Sequence, residues 1–134
     1  MTKSKHINKL IARKSNFMSG VMSVPGDKSI SHRAVILSMI TNGITQIYNI
    51  LDSSDVNKSL NAAVSLGIEC NKIDNYLTIK GKGLYGLEAP NQELYFGNSG
   101  TSMRLFMGLL SAQNFSSILT GDSSLSSRPM ERVA

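Results

Sequence analysis

An α/β fold built from a repeated strand-helix-strand-helix-strand-strand unit is predicted by three observations on this sequence. Alternating apolar stretches and helically spaced apolar stretches take turns along the chain, glycine turns sit where strand runs into helix, and the chain matches itself when slid by 71 positions. At that offset Gly26 falls on Gly97, Asp27 on Asn98, Ser31 on Ser102, Arg33 on Arg104, Ile47 on Ile118 and Ser53 on Ser124, in one register without a gap. So few identities in a chain rich in Ser and Gly could arise by chance, but the order of the elements repeats with them. The unit is about 70 residues long, with a first repeat at about 21–92 and an incomplete second repeat at about 93–134.

Each element has a local cause. Gly20-Val21-Met22-Ser23-Val24 reads as a short strand stopped by Pro25-Gly26. Asp27 or Ser29 can cap a helix to about Ile40, whose apolar face uses Ala34, Val35, Leu37 and Ile40. Asn42-Gly43 ends it, and Ile44 to Ile50 returns as a strand. Ser53 or Ser54 opens a second helix through Val56, Leu60, Ala63 and Val64, with Gly67 placed as its C-terminal glycine. Ile68–Asn71 and Tyr76–Lys80 form a hairpin around Ile73-Asp74-Asn75. Gly81 to Pro90 is loop. The cycle then restarts: a strand from Glu93 to Phe96, a glycine turn, a helix from about Ser99 to Ser111, and a strand from Phe115 to Thr120. Pro129 stands where a further helix could open, and the sequence stops about one turn later, so a piece of a longer protein is expected.

Composition narrows the function classes. With 134 residues, 41% apolar and 17% charged, the chain has room for about one domain with a real core. The single cysteine, Cys70, can make no internal disulfide and no cysteine-rich metal site. Apolar stretches are all well short of the roughly 18 residues a membrane span needs, and the start lacks the apolar block of a secretion signal, which makes the cytoplasm the default. The formal charge of +5 suggests nucleic acid at first sight. Its excess, however, is confined to Lys3, Lys5, Lys9, Arg13 and Lys14, because the residues after Gly20 carry nine charges of each sign. There is no Trp, and the Phe and Tyr residues do not interleave with the cations, so neither nucleic acid nor membrane is an expected partner. Residues 1–17 read as a basic, solvated extension.

The chemistry is concentrated at the two glycine turns. Pro25-Gly26-Asp27-Lys28-Ser29-Ile30-Ser31-His32-Arg33 puts a lysine and a hydroxyl at a helix mouth, with Arg33 on the face of Ser29. Unpaired backbone N–H groups, an ammonium and a guanidinium fork together favour a phosphate or a carboxylate. Gly97-Asn98-Ser99-Gly100-Thr101-Ser102-Met103-Arg104 offers the same geometry with Asn98 and Thr101 as neutral donors, and Arg128 adds a third cationic point. Plainer readings stand beside these. Lys28 could be a solvated first-turn lysine, although the helix dipole disfavours its charge there. Arg33 and Arg104 could form structural bridges with Asp52, Asp55 or Glu131, and Arg128 could decorate a turn. Asp52 and Asp55 could cap the second helix, Cys70 reads as core, and His6 and His32 make a poor metal site. Neither a Walker pattern nor a Rossmann turn is present. Local reasoning reaches a receptor for a small, multiply anionic metabolite.

Beyond that point the motifs carry a resemblance. Val24-Pro25-Gly26-Asp27-Lys28-Ser29-Ile30-Ser31-His32-Arg33 resembles the opening signature of the EPSP synthase (3-phosphoshikimate 1-carboxyvinyltransferase) family. Leu51-Asp52-Ser53-Ser54-Asp55-Val56, Phe96 to Arg104, Leu119-Thr120-Gly121-Asp122 and Ser127-Arg128-Pro129-Met130 follow in that family's order and spacing. The similarity covers residues 18–134 and corresponds to the N-terminal third of such enzymes.

The resemblance implies an EPSP synthase-like fold, an inside-out α/β barrel. Two similar domains, each of three repeated units, would close on ligands in the cleft between them. Residues 18–134 would be part of the N-terminal domain, and the segment before Pro25 would pair with a sheet of the other domain. The implied activity is a transferase step of chorismate and aromatic amino acid biosynthesis in the shikimate pathway. It moves the enolpyruvyl group of phosphoenolpyruvate to the 5-hydroxyl of 3-phosphoshikimate, with release of phosphate and without metal or organic cofactor. Carried over residue by residue, Lys28 would contact phosphoenolpyruvate near the transferring group and act in catalysis. Ser29 and Arg33 would bind 3-phosphoshikimate, Asn98, Gly100 and Thr101 would wall the phosphoenolpyruvate site, and Arg128 would bind that substrate's anionic end. Arg104 would make a supporting salt bridge. The general acid and base of the family fall outside these motifs, so the isolated segment is expected to be inactive and the complete protein to be a cytoplasmic monomer. The related transferase acting on UDP-N-acetylglucosamine has Lys-Asn in place of Lys28-Ser29 and a cysteine between the positions of Thr101 and Arg128, where this chain has none. A nonenzymatic anion-binding module is the remaining alternative.

Overall fold

The structure is a computed structural model that describes residues 11–73, 76–131 and 133. Asp27 opens the first helix, α1 (Lys28–Met39), by accepting a hydrogen bond from the Ile30 amide at 2.7 Å. Such a cap contributes about 1 kcal/mol. Strand β1 (Asn42–Tyr48) follows, and Ser53 caps helix α2 (Ser54–Ser65) by accepting from the Val56 amide. Gly67, at φ +82°, then ends α2. Its amide reaches the Val64 carbonyl and the Ile68 amide reaches that of Ala63, the paired closure that a left-handed glycine permits.

Strands β2 (Glu69–Ile73) and β3 (Tyr76–Lys82) form the expected hairpin; its turn, Asp74-Asn75, lies outside the described residues. β3 also pairs antiparallel with β1, giving a sheet of order β1-β3-β2. The register aligns Thr45, Ile79 and Cys70 across one face, and Leu77 and Ile79 are buried beneath α1 and α2. The second unit contributes β4 (Leu94–Tyr95), helix α3 (Gly100–Leu110) capped by Ser99, and β5 (Leu119–Thr120), which pairs parallel with β4. Phe96 and Phe106, with ring centroids 5.2 Å apart, join the first unit's Val35, Met39, Ala63 and Leu66 in one continuous core. Among the described residues no helix is long and apolar enough to cross a membrane.

Three sequence expectations require correction. Residues 20–24 are not a strand: Val21 and Met22 stand exposed. In the second unit the Leu94 and Phe96 amides donate to the Ile118 and Thr120 carbonyls. Pro25 occupies the place of Phe96 in the repeat and has no N–H to donate the matching bond, and among the described residues it is the Asn49 side-chain amide that reaches the Val24 carbonyl, at 3.4 Å. Pro129 opens no helix among the described residues. Instead α4 (Ser123–Ser126) precedes it, capped by Asp122, whose carboxylate accepts from the Leu125 amide at 2.7 Å. The strand expected from Phe115 shortens to Leu119–Thr120. Of the basic extension, residues 11–17 are irregular and exposed, and residues 1–10 lie outside the described part.

Candidate functional site

The mouth of α1 is fixed by close backbone approach. A Cβ on Gly26 would meet the Asn49 carbonyl oxygen at 2.1 Å, so only glycine lets this turn lie against the segment leading to α2. Ser31 strengthens the junction: its hydroxyl donates to the Asp27 carbonyl at 2.7 Å and accepts from the Leu51 amide at 3.0 Å. The first turns of α1 and α2 therefore sit side by side, and the Lys28 ammonium donates to the Asp55 carboxylate. The carboxylate is favoured at its own helix N-terminus and offsets the unfavourable placement of Lys28. Ser29 is half-buried and Arg33 is exposed. Among the described residues Arg33 has no salt bridge.

Tighter convergence occurs at the mouth of α3. Asn98 donates through Nδ2 to Asp122 at 2.8 Å and accepts through Oδ1 from the Arg128 guanidinium. Asp122 thus caps α4 and orients Asn98 at once. Its carboxyl is held below the usual range, chiefly by the Leu125 amide and next by Asn98, with Arg128 adding attraction. Arg104 donates to the Pro129 carbonyl at 3.0 Å. A Cβ on the buried Gly100 would stand 2.9 Å from Arg104 Nη1 and 3.2 Å from Arg128 Nη1. Two guanidinium groups therefore converge over a helix N-terminus that has no side chain of its own there. Among the described residues neither has a carboxylate salt-bridge partner. Thr101 is exposed beside them in the first turn of α3. This combination of donors suits a small anion.

The alternative bridges fall away. Asp52 pairs with Lys72 at 3.2 Å, and its acidity is raised mainly by that contact and by Asn57. Asp55 is taken by Lys28, so neither aspartate holds Arg33 or Arg104, and Ser53 rather than an aspartate caps α2. The supporting salt bridge expected of Arg104 is replaced by its bond to Pro129. Cys70 packs half-buried against the core, where burial pushes its thiol up to about 11. A nucleophile needs the thiolate, which such a shift suppresses.

One group escaped the sequence reading. His32 is fully buried, its Nδ1 lies 2.8 Å from Ser59 Oγ, and Ser59 Oγ lies 2.5 Å from Ser102 Oγ. This chain of polar atoms links α1, α2 and α3 within the apolar core. The available signal was spacing: Ser59 falls between Val56 and Ala63 on the inward stripe of α2, and Ser102 shares a stripe with Phe106 and Leu109.

Comparison with known proteins follows the same outline. The family model described as EPSP synthase (3-phosphoshikimate 1-carboxyvinyltransferase) matches residues 12–134. A 3-phosphoshikimate 1-carboxyvinyltransferase of Lactiplantibacillus plantarum is 46% identical over 127 residues, covering 95% of this chain and 29% of that protein. One from Salinibacter ruber is 48% identical over 118 residues, covering 87% of this chain and 27% of its own length. The solved EPSP synthase from Acinetobacter baumannii superposes with a TM-score of 0.80 at 48% identity, covering 84% of this chain and 26% of that one. The chain thus spans under a third of the length of these relatives.

Proposed function

This chain belongs to the EPSP synthase family, and we propose that it supplies the anion-receiving wall for enolpyruvyl transfer in the complete protein. Phosphoenolpyruvate and 3-phosphoshikimate are the proposed substrates. The 5-hydroxyl oxygen gives up its proton and bonds to the enol carbon bearing phosphate while the neighbouring methylene takes up a proton to become a methyl group. The tetrahedral adduct then loses a proton from that methyl as its bond to phosphate breaks, which leaves the enolpyruvyl ether and inorganic phosphate. The observation that carries this reading is the convergence of Arg104 and Arg128 over Gly100. An anion placed there replaces the missing side chain and receives donors from two guanidinium groups and the helix mouth.

Both substrates carry a phosphate and a carboxylate, so bringing them together opposes like charges. Fixed cations offset that repulsion without reorganising as the adduct forms. Lys28 contacts phosphoenolpyruvate near the transferring group, while Ser29 and Arg33 hold 3-phosphoshikimate. Asn98, Gly100 and Thr101 wall the phosphoenolpyruvate site, and Arg128 takes its anionic end. Asp55 and Asp122 set Lys28 and, through Asn98, Arg128. The organisation proposed with these roles is part of an N-terminal domain, with repeats at 21–92 and 93–134, in a cytoplasmic monomer. Residues 1–134 alone bind anions without turnover.

The test is phosphate release by the complete protein with both substrates present. Release that requires both, with 5-enolpyruvylshikimate 3-phosphate formed in equal amount, supports the reading. Release with phosphoenolpyruvate alone, or none, overturns it.

A further inference from the structure

The buried chain His32–Ser59–Ser102 lies about one turn, and at Ser102 less, below Lys28, Asp55 and the Gly100–Thr101 turn in the three helix mouths. A core at this depth is ordinarily apolar, and its neighbours here are: Val35, Val56, Phe106 and Met103 are all buried. Polar groups in such a place cost stability unless their hydrogen bonds are made, and they then fix one arrangement more sharply than apolar contact does. Among the described residues His32 Nε2 has no hydrogen-bond partner. Each link of the chain joins two different helices, and no backbone hydrogen bond between helices can do this.

We propose that His32, Ser59 and Ser102 are positioning residues that hold the mouth of α3 in register with that of α1. The inference rests on the function proposed above and deepens it. The phosphoenolpyruvate site draws on both mouths, Lys28 from one and Asn98, Gly100, Thr101 and Arg128 from the other. The 3-phosphoshikimate groups of this chain, Ser29 and Arg33, come from α1 alone. Loosening the link therefore separates the two substrates in its effect. Loss of the Ser102 hydroxyl frees α3 from α2 but leaves the His32–Ser59 contact in place; loss of Ser59 breaks both contacts.

The experiment uses the complete protein with Ser59→Ala, Ser102→Ala and the double variant. Each is measured by steady-state kinetics and by titration with 3-phosphoshikimate, followed by phosphoenolpyruvate added to the saturated protein. Small displacements of reacting groups are costly, so Ser102→Ala should raise the phosphoenolpyruvate KM by about tenfold. Its affinity for 3-phosphoshikimate should match wild type, and the double variant should be no worse than Ser59→Ala. If both substrates weaken together, or neither does, the hydroxyls are only structural and the proposal fails; a variant that does not fold loses both and counts against it. Wild-type protein that binds both substrates without transferring sinks the proposed activity but leaves this comparison readable by titration. Wild-type protein that binds neither removes both readings.

Discussion

The ammonium of Lys28 is held by the carboxylate of Asp55, each in the first turn of its own helix. Lys28 sits where the dipole of α1 opposes its charge, and Asp55 sits where the dipole of α2 favours its own. The pair is half open to solvent, so the contact orients the lysine more than it stabilises the fold.

In the complete protein, Lys28→Met should cost roughly 2.7 kcal/mol or more in kcat/KM, because it removes a contact made as charge develops. Asp55→Asn should cost less, since the amide can still accept from Lys28. The double variant should be no slower than Lys28→Met alone, which the ratio of kcat/KM values over the four proteins measures. Additive losses would mean that Asp55 acts independently of the lysine.

Gly100 gives the second expectation. A methyl group there would stand 2.9 Å from Arg104 Nη1 and 3.2 Å from Arg128 Nη1, so these flexible ends must shift. Gly100→Ala should therefore raise the phosphoenolpyruvate KM modestly. An unchanged phosphoenolpyruvate KM would refute the steric argument.

Much of this arrangement was legible in the sequence because it is local. Asp27, Ser53 and Gly67 cap and close helices within a few residues of themselves, and the glycine turns mark where backbones approach. Pairings across distance were not legible. Nothing near Lys28 announces Asp55, 27 residues on, and nothing places β3 between β1 and β2. Residues 20–24 are irregular because alternating apolar residues make a strand only beside a neighbour that takes up their backbone groups, and among the described residues none of their amides or carbonyls has a backbone partner. The apolar stripes of α2 and α3 were readable, but the serines within them looked like ordinary helix positions. Only the meeting of the two stripes makes Ser59 and Ser102 a contact.

His32 provides a pH test. Its pKa is lowered from the ordinary 6.5, first by burial and then by the nearby positive charge of Lys28, against a smaller opposing effect of Asp55. Below pH 6.5 the unfolded chain takes up a proton that the folded one refuses, so this group's contribution to stability is intact above that pH and is lost as pH falls through it. The slope can reach about 1.4 kcal/mol per pH unit for one proton. Urea midpoints of wild type should fall between pH 7 and pH 5 more steeply than those of His32→Gln, which has no proton to gain. Parallel slopes would mean that His32 titrates alike in both states.

The last expectation separates donor chemistry from acceptor recognition. Arg33 is exposed one turn inside α1, on the face of Ser29, and among the described residues no aspartate holds it. A guanidinium in that position can meet a carboxylate with two parallel hydrogen bonds, and such a contact is equally strong before and during the reaction. Interactions of that kind lower KM and leave kcat alone, whereas contacts that strengthen only as charge develops raise kcat. Arg33→Ala in the complete protein should therefore weaken 3-phosphoshikimate binding and largely preserve turnover at saturation. Arg33→Lys should recover little of the loss, because an ammonium cannot supply the fork. Lys28→Met should do the reverse, lowering kcat while 3-phosphoshikimate still binds. The distinguishing measurement is kcat at saturating concentrations of both substrates, paired with a direct titration of each variant by 3-phosphoshikimate. If Arg33→Ala lowered kcat as far as Lys28→Met does, with 3-phosphoshikimate affinity unchanged, the two cations would share one role and the division between them would be wrong.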